Sequence, residues 1–357
     1  MKKLMLIGLL VSLVLIVILA LLIVFYKSET PRFDLISGMG KAGDQWEIKA
    51  FQGQRETISI LKSGEKLDLR NAKNSHIKNI AYYADNRVIY DIDYVFDEYG
   101  RRTVEIPKTS ASVLVNKEFF ALFFGCSDLW GAGVNSVDTI PAIFQSKIPV
   151  SHAYNYGFPG TGAHYVNFFL QNEIDRSEVT EPKGLIFYVM TEGHFAKTLG
   201  HIGHVIRPVM PKYTLQNSEL TYLGKMQDVD PVSSQIKKYF GTSSLVTYLG
   251  GDAISENEVY TKEDYDLVCS ILDAAKINSK NKFKKSRFIL VLHVLLPTQD
   301  RELLKKCGAE KNIEIVDVHV PYEDRFSSDP VYFHPTRTVN EVVTNHILDY
   351  LQRTKKN

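Results

Sequence analysis

Apolar and polar positions change rhythm three times along the chain. Residues 4–26 form an uncharged, almost wholly apolar run, and about 20 such residues suffice for a helix to cross a bilayer core. Residues 27–44 (KSETPRFDLISGMGKAGD) mix Pro, Gly, Ser and charges with no period, as a linker does. From Trp46 to about Lys108 short alternating segments follow: WEIKAF, ETISIL, RVIYDIDYVFD and RTVEI. Polar turns such as KSGEK, ADN and DEYGRR separate them. A period of two broken by turns predicts a small β-rich unit over 45–110.

Beyond residue 111 the pattern becomes apolar runs followed by helical stretches. Runs at 118–124, 150–156, 185–190, 288–296 and 313–318 read as buried strands, FILVLHVLL most clearly. Helical spacing is found at 164–174, 262–275 and 339–351; in the last, Val339, Val342, Val343, Ile347 and Tyr350 would face a sheet. Alternation of this kind predicts an α/β unit over 111–357, a three-layer α/β/α arrangement on a parallel sheet. The stretch 199–260 is long for a connection and is predicted to be an insertion, a lid or substrate-facing segment with little internal structure.

Charge narrows the function. Lysine and arginine number 42 against 41 aspartates and glutamates, so no broad basic field exists for nucleic acid. Lys2 and Lys3 precede the apolar run, and Leu22, Ile23, Val24, Phe25 and Tyr26 stand where a signal-peptide cleavage site needs small residues. These features predict an uncleaved signal anchor over 1–26 in the inner (cytoplasmic) membrane, with the rest of this single-pass chain extracytoplasmic, or periplasmic. Cysteines are three, Cys126, Cys269 and Cys307. An odd number leaves at least one thiol free and predicts stability from the core rather than from cross-links.

Candidate chemistry lies in four blocks. FFGCSDLWGAGVNSVDTIP delivers Ser127 from the end of an apolar strand, where open α/β sheets place their sites; a serine there also serves as a helix cap. YNYGFPGTGAH ends a second strand with Gly157, whose N–H is open to a bound oxygen unless the glycine only makes a tight turn. FYVMTEGH leads to Glu192 and His194, and SSDPVYFHPTRTVNE sets His334 before the C-terminal helix. His194, His201 and His204 with Glu192 also allow a metal-site reading, although no His-Glu-x-x-His motif is present. His293, inside FILVLHVLL, reads as a core residue, and Trp130 as packing beneath the serine turn or stacking on a sugar.

The order of these blocks resembles the SGNH/GDSL hydrolase superfamily over about residues 111–355. Upstream, YDIDYVFDEYGRR followed by FFGCSDLWGAGV resembles a membrane-associated bacterial branch with a small β domain before a flavodoxin-like hydrolase domain. That resemblance implies Ser127 as nucleophile, His334 as general base, and an oxyanion hole of the Ser127 and Gly157 N–H groups. The chain departs from the family pattern at three places. Cys126 stands for the aspartate before the serine, His194 for the third-block asparagine, and Val331 for the acid expected three residues before His334. A neutral imidazole at 194 can still donate to an oxyanion. Asp329 is the nearest carboxylate to complete a triad, with Asp324 a second candidate.

The expected activity is therefore serine-dependent cleavage of an acyl ester, without metal or organic cofactor. Substrates expected outside the membrane are O-acyl groups on an envelope glycan or lipid. Alternatives are an O-acyltransferase using the same residues on an exported polysaccharide, or an inactive domain that binds a glycan or an envelope partner.

Overall fold

The computed structural model describes residues 41–49, 54–65, 69–106, 116–200, 209–229, 260–320 and 334–355. The predicted anchor and most of the linker lie outside them, as do 201–208 and 230–259 of the insertion and 321–333 with Asp324, Asp329 and Val331. Among the described residues no helix is long and apolar enough to cross a membrane.

The N-terminal unit is a four-stranded antiparallel sheet of β1 (Gln45–Lys49), β2 (Arg55–Lys62), β3 (His76–Tyr82) and β4 (Val88–Val95), paired in that order. Alternation buries Ile58, Ile60, Ile77, Ile92 and Tyr94. Strand β3 was not among the predicted segments because two of its inward positions are Asn79 and Ala81, which mask the period of two. The segment RTVEI, expected as a strand, contributes only bridges from Arg102 to Phe96 and to Asn155.

The second unit alternates β5 (Phe119–Phe124), α1 (Ser127–Trp130), α2 (Ile140–Lys147), β6 (Ser151–Asn155), α3 (Ala163–Phe168), β7 (Gly184–Met190) and α4 (His194–Leu199). After the hairpin β8 (Pro211–Gln216) and β9 (Glu219–Lys225) and the short α5 (Met226–Val229), it continues with α6 (Lys262–Lys282), β10 (Ser286–Leu292), α7 (Thr298–Lys311), β11 (Glu314–Asp317) and α8 (Arg337–Lys355). The five long-range strands pair in parallel in the order β11-β10-β7-β5-β6. Alternate residues of each strand feed opposite cores. Phe120, Leu122 and Phe124 join Ile271, Leu272 and Phe169 on one face, whereas Ala121 and Phe123 meet Phe144, Val343 and Ile347 on the other. Strands buried on both faces explain the unbroken apolar runs in the sequence.

Two expectations change. The insertion is not without structure, since its described part pairs β8 with β9 and carries α5. Nor is the chain free of cross-links: Cys269 on α6 and Cys307 on α7 form a disulfide across 38 residues. Closing a loop of that length contributes about 3–4 kcal/mol through the unfolded chain. Counting cysteines could not reveal the pair; only the packing of α6 beside α7 brings them together. Cys126 remains a free, buried thiol.

Candidate active site

The strand order makes the carboxyl ends of β5 and β7 the place where successive connections leave in opposite directions, the crevice in which open α/β sheets bind ligands. Both Ser127 and His194 lie there. Strand β5 stops at Phe124, and Gly125 allows the tight exit: a Cβ on it would lie 2.7 Å from Cβ of Leu129. Ser127 then opens α1, half-buried, its Oγ 3.8 Å from Sγ of Cys126. As the first helical residue it has an N–H with no intrahelical partner, free to face a developing negative charge. Trp130 does not face the crevice. It is buried between Tyr94 and Phe96, ring centroids 4.4 and 6.0 Å away, and so belongs to the core of the β-rich unit.

His334 approaches from the start of α8. Arg337 reaches Asp138 at 2.9 Å, and Nδ2 of Asn340 donates to the Asp138 carbonyl at 2.9 Å, tying that helix to the turn downstream of Ser127. His334 Nε2 lies 4.0 Å from Oδ1 of Asp128, the residue next to the serine. Oδ2 of Asp128 accepts a 2.5 Å hydrogen bond from Thr191 Oγ1 at the end of β7. Burial alone would raise the Asp128 pKa, but His334, His293, the Thr191 hydroxyl and Lys197 together hold it below the ordinary carboxylate value. The sequence alone does not single out this carboxylate, because an acid in the first turn of a helix is ordinary dipole compensation. Its signal was the missing acid at 331. Asp329, the predicted partner, is outside the described residues.

His194 opens α4 and is fully buried. Its Nδ1 lies 2.7 Å from the Tyr188 hydroxyl, and its Nε2 has no hydrogen-bond partner among the described residues. Burial keeps the imidazole well below its usual pKa and hence neutral, while burial pushes the Tyr188 phenol well above its own, so that it keeps its proton. The tautomer in which the phenol donates to Nδ1 would leave the imidazole proton on Nε2. His293, just past β10, is likewise fully buried and neutral, its pKa lowered to about 4 by burial. Its Nδ1 accepts from the Leu295 N–H.

Gly157 departs from expectation. Its N–H donates to Oδ1 of Asn155 at 2.9 Å, so the amide is already engaged within the fold. The glycine itself is explained by close packing, because a Cβ would lie 2.6 Å from the backbone nitrogen of Trp130. For this amide to meet an oxyanion, the Asn155 carboxamide must first release it. Of the metal-site residues, His201 and His204 are outside the described residues, and among the described residues no cluster suited to a metal occurs.

Neither a protein-family model nor a curated protein matches the sequence. Solved structures do. A lipolytic protein of the G-D-S-L family from Veillonella parvula is 15% identical, with 66% of this chain and 99% of that chain covered at a TM-score of 0.37. An acetyl xylan esterase from Butyrivibrio proteoclasticus is 10% identical, with 68% and 65% covered at 0.39. A family two carbohydrate esterase from Clostridium thermocellum in complex with cellohexaose is 10% identical, with 85% and 80% covered at 0.42.

Proposed function

We propose that the chain hydrolyses acyl esters through Ser127 and His334. What supports this reading is the carboxyl end of the sheet, where Asp128, next to Ser127, lies 4.0 Å from His334 Nε2 and accepts from Thr191, and where the buried His194 opens its helix. Ser127 Oγ attacks the acyl carbon and passes its proton to His334. The Ser127 N–H and His194 Nε2–H receive the oxyanion. His334 then protonates the departing alkoxide, and water, deprotonated by the same imidazole, releases the acid and restores Ser127. Asp128 stabilises the imidazolium formed in the first step. The test is covalent capture: a fluorophosphonate added to the full chain in detergent should label Ser127, and an unlabelled, folded protein would remove the reading.

Asp128 gives this reading a pH signature. Activity requires neutral His334, so it falls as pH drops through the pKa of that imidazole. The coupling that lowers the Asp128 pKa is reciprocal and favours the imidazolium; unit charges 4 Å apart exchange about 1 kcal/mol even with water-like screening. Asp128→Asn is therefore expected to move the acid limb of kcat/KM to lower pH while reducing the plateau. A limb that stays in place, measured from pH 4 to 8, would show that Asp128 does not act on the base.

The reading extends to location and substrate. An anchor over residues 1–26 holds the catalytic unit outside the inner membrane, facing an O-acyl group on an envelope glycan or lipid. The disulfide supports this placement, because such bonds persist in oxidising compartments. Alkylation of the chain as it leaves its native cells, under denaturing and non-reducing conditions, should modify Cys126 alone; equal modification of Cys269 and Cys307 would argue for a reducing compartment.

A further inference from the structure

Arg102 stands in the sequence at the end of the β-rich unit, yet its side chain is inserted into the turn that follows Ser127. It is 1% exposed. Nη1 donates to the carbonyls of Trp130, at 2.9 Å, and Gly131, and Nη2 donates to that of Val134 at 2.5 Å. The guanidinium lies over the rings of Tyr94 and Trp130, at 4.7 and 5.2 Å. Gly131, at φ 91°, gives it room: a Cβ there would lie 2.6 Å from Nη1.

Two neighbours at the same seam show what a merely structural arginine does. Arg70 pairs with Glu178 at 2.7 Å, and Arg101 with Asp97 at 2.7 Å. Arg102 forms no ion pair among the described residues, although an unpaired buried charge is costly. Burial accordingly lowers its pKa to about 10. Among the described residues, every hydrogen bond that its guanidinium donates goes to the main chain of one turn.

That turn is linked onward to the oxyanion side of the crevice. The Arg102 backbone bridges Asn155. Asn155 Nδ2 donates to the Trp130 carbonyl at 3.3 Å, and its Oδ1 holds the Gly157 N–H. Tyr94, from β4, accepts from the Gly133 N–H at 3.0 Å. The exit of β5 is thus held on its outer side by groups of the β-rich unit.

We propose that Arg102 is a positioning residue, reaching from the β-rich unit to fix the turn that carries Ser127, so that this unit is a working part of the catalytic apparatus. The inference rests on the serine-hydrolase reading above. A displacement of about 1 Å in a reacting group can cost on the order of 100-fold in rate, and three carbonyl anchors on one turn are suited to prevent it.

The experiment compares wild type, Arg102→Ala, Arg102→Lys and Tyr94→Phe as full chains in detergent, with p-nitrophenyl acetate as substrate. Active sites are titrated with fluorophosphonate, so that kcat is counted per reactive serine and unfolded protein drops out. Arg102→Ala is expected to lose about 100-fold in kcat with KM little changed. Millimolar guanidinium chloride should restore much of the loss, and equal sodium chloride should not. Arg102→Lys, which keeps a charge but not the fork, should fall between, and Tyr94→Phe should lose less; these two carry the test if the alanine variant does not fold. Wild-type kcat per titrated site in all three variants, or equal rescue by either salt, would overturn the inference while leaving the hydrolase reading intact. A wild type that neither turns over nor labels would remove both.

Discussion

Ser127→Ala is expected to bring p-nitrophenyl acetate turnover to background, a loss of at least ~10⁴-fold in kcat, and to abolish fluorophosphonate labelling. The substitution removes one oxygen whose only hydrogen-bond contact among the described residues is the Cys126 sulfur, so folding should be unaffected and melting temperature can serve as the control. His334→Ala should cost a similar factor, because a serine without a base is a poor nucleophile. The decisive measurement is the double variant. Residues that act as one unit are non-additive, so Ser127→Ala with His334→Ala should be no slower than either alone. A double variant slower by the product of the single losses would mean that serine and histidine work independently, and a Ser127→Ala protein that keeps its turnover would end the serine mechanism.

Much of this architecture was legible in the chain because buried parallel strands carry their own signature. The runs at 118–124 and 185–190 predict β5 and β7 to within a residue at each end, and helix α8 follows from its apolar stripe. What escaped the sequence depends on contacts distant along the chain. Thr191 and Asp128 are 63 residues apart and meet only because β5 and β7 are adjacent. The disulfide needs α6 beside α7, and Arg102 needs the β-rich unit folded onto β6 before its fork finds the serine turn. Gly157 shows the opposite limit. Its motif suggested an open amide, yet the same residue satisfies the packing of Trp130, and a glycine in a sequence does not say which demand it answers.

His194 is where the departure from the family pattern becomes measurable. Its Nε2 is buried with no hydrogen-bond partner among the described residues, and a buried polar atom left unsatisfied is costly unless something uses it; donation from Nε2–H to an oxyanion forming above Ser127 is the use proposed here. His194→Phe keeps the buried volume but removes the donor, and is expected to lower kcat by roughly 10²–10³-fold with KM little changed, the range for loss of one oxyanion donor. His194→Asn should retain more activity than His194→Phe, since a carboxamide donates where a phenyl ring cannot. Tyr188→Phe leaves the imidazole in place and removes only the hydroxyl bonded to its Nδ1, so its loss should be smaller than that of His194→Phe. The pH profile separates this imidazole from His334. Burial holds the His194 pKa well below its usual value, so it stays neutral across the pH range of the assay. The acid limb of His194→Asn should therefore coincide with that of the wild type, whereas Asp128→Asn moves it. Should His194→Phe retain full kcat per titrated serine, the second donor must be sought elsewhere, and Gly157 freed from Asn155 becomes the group to examine.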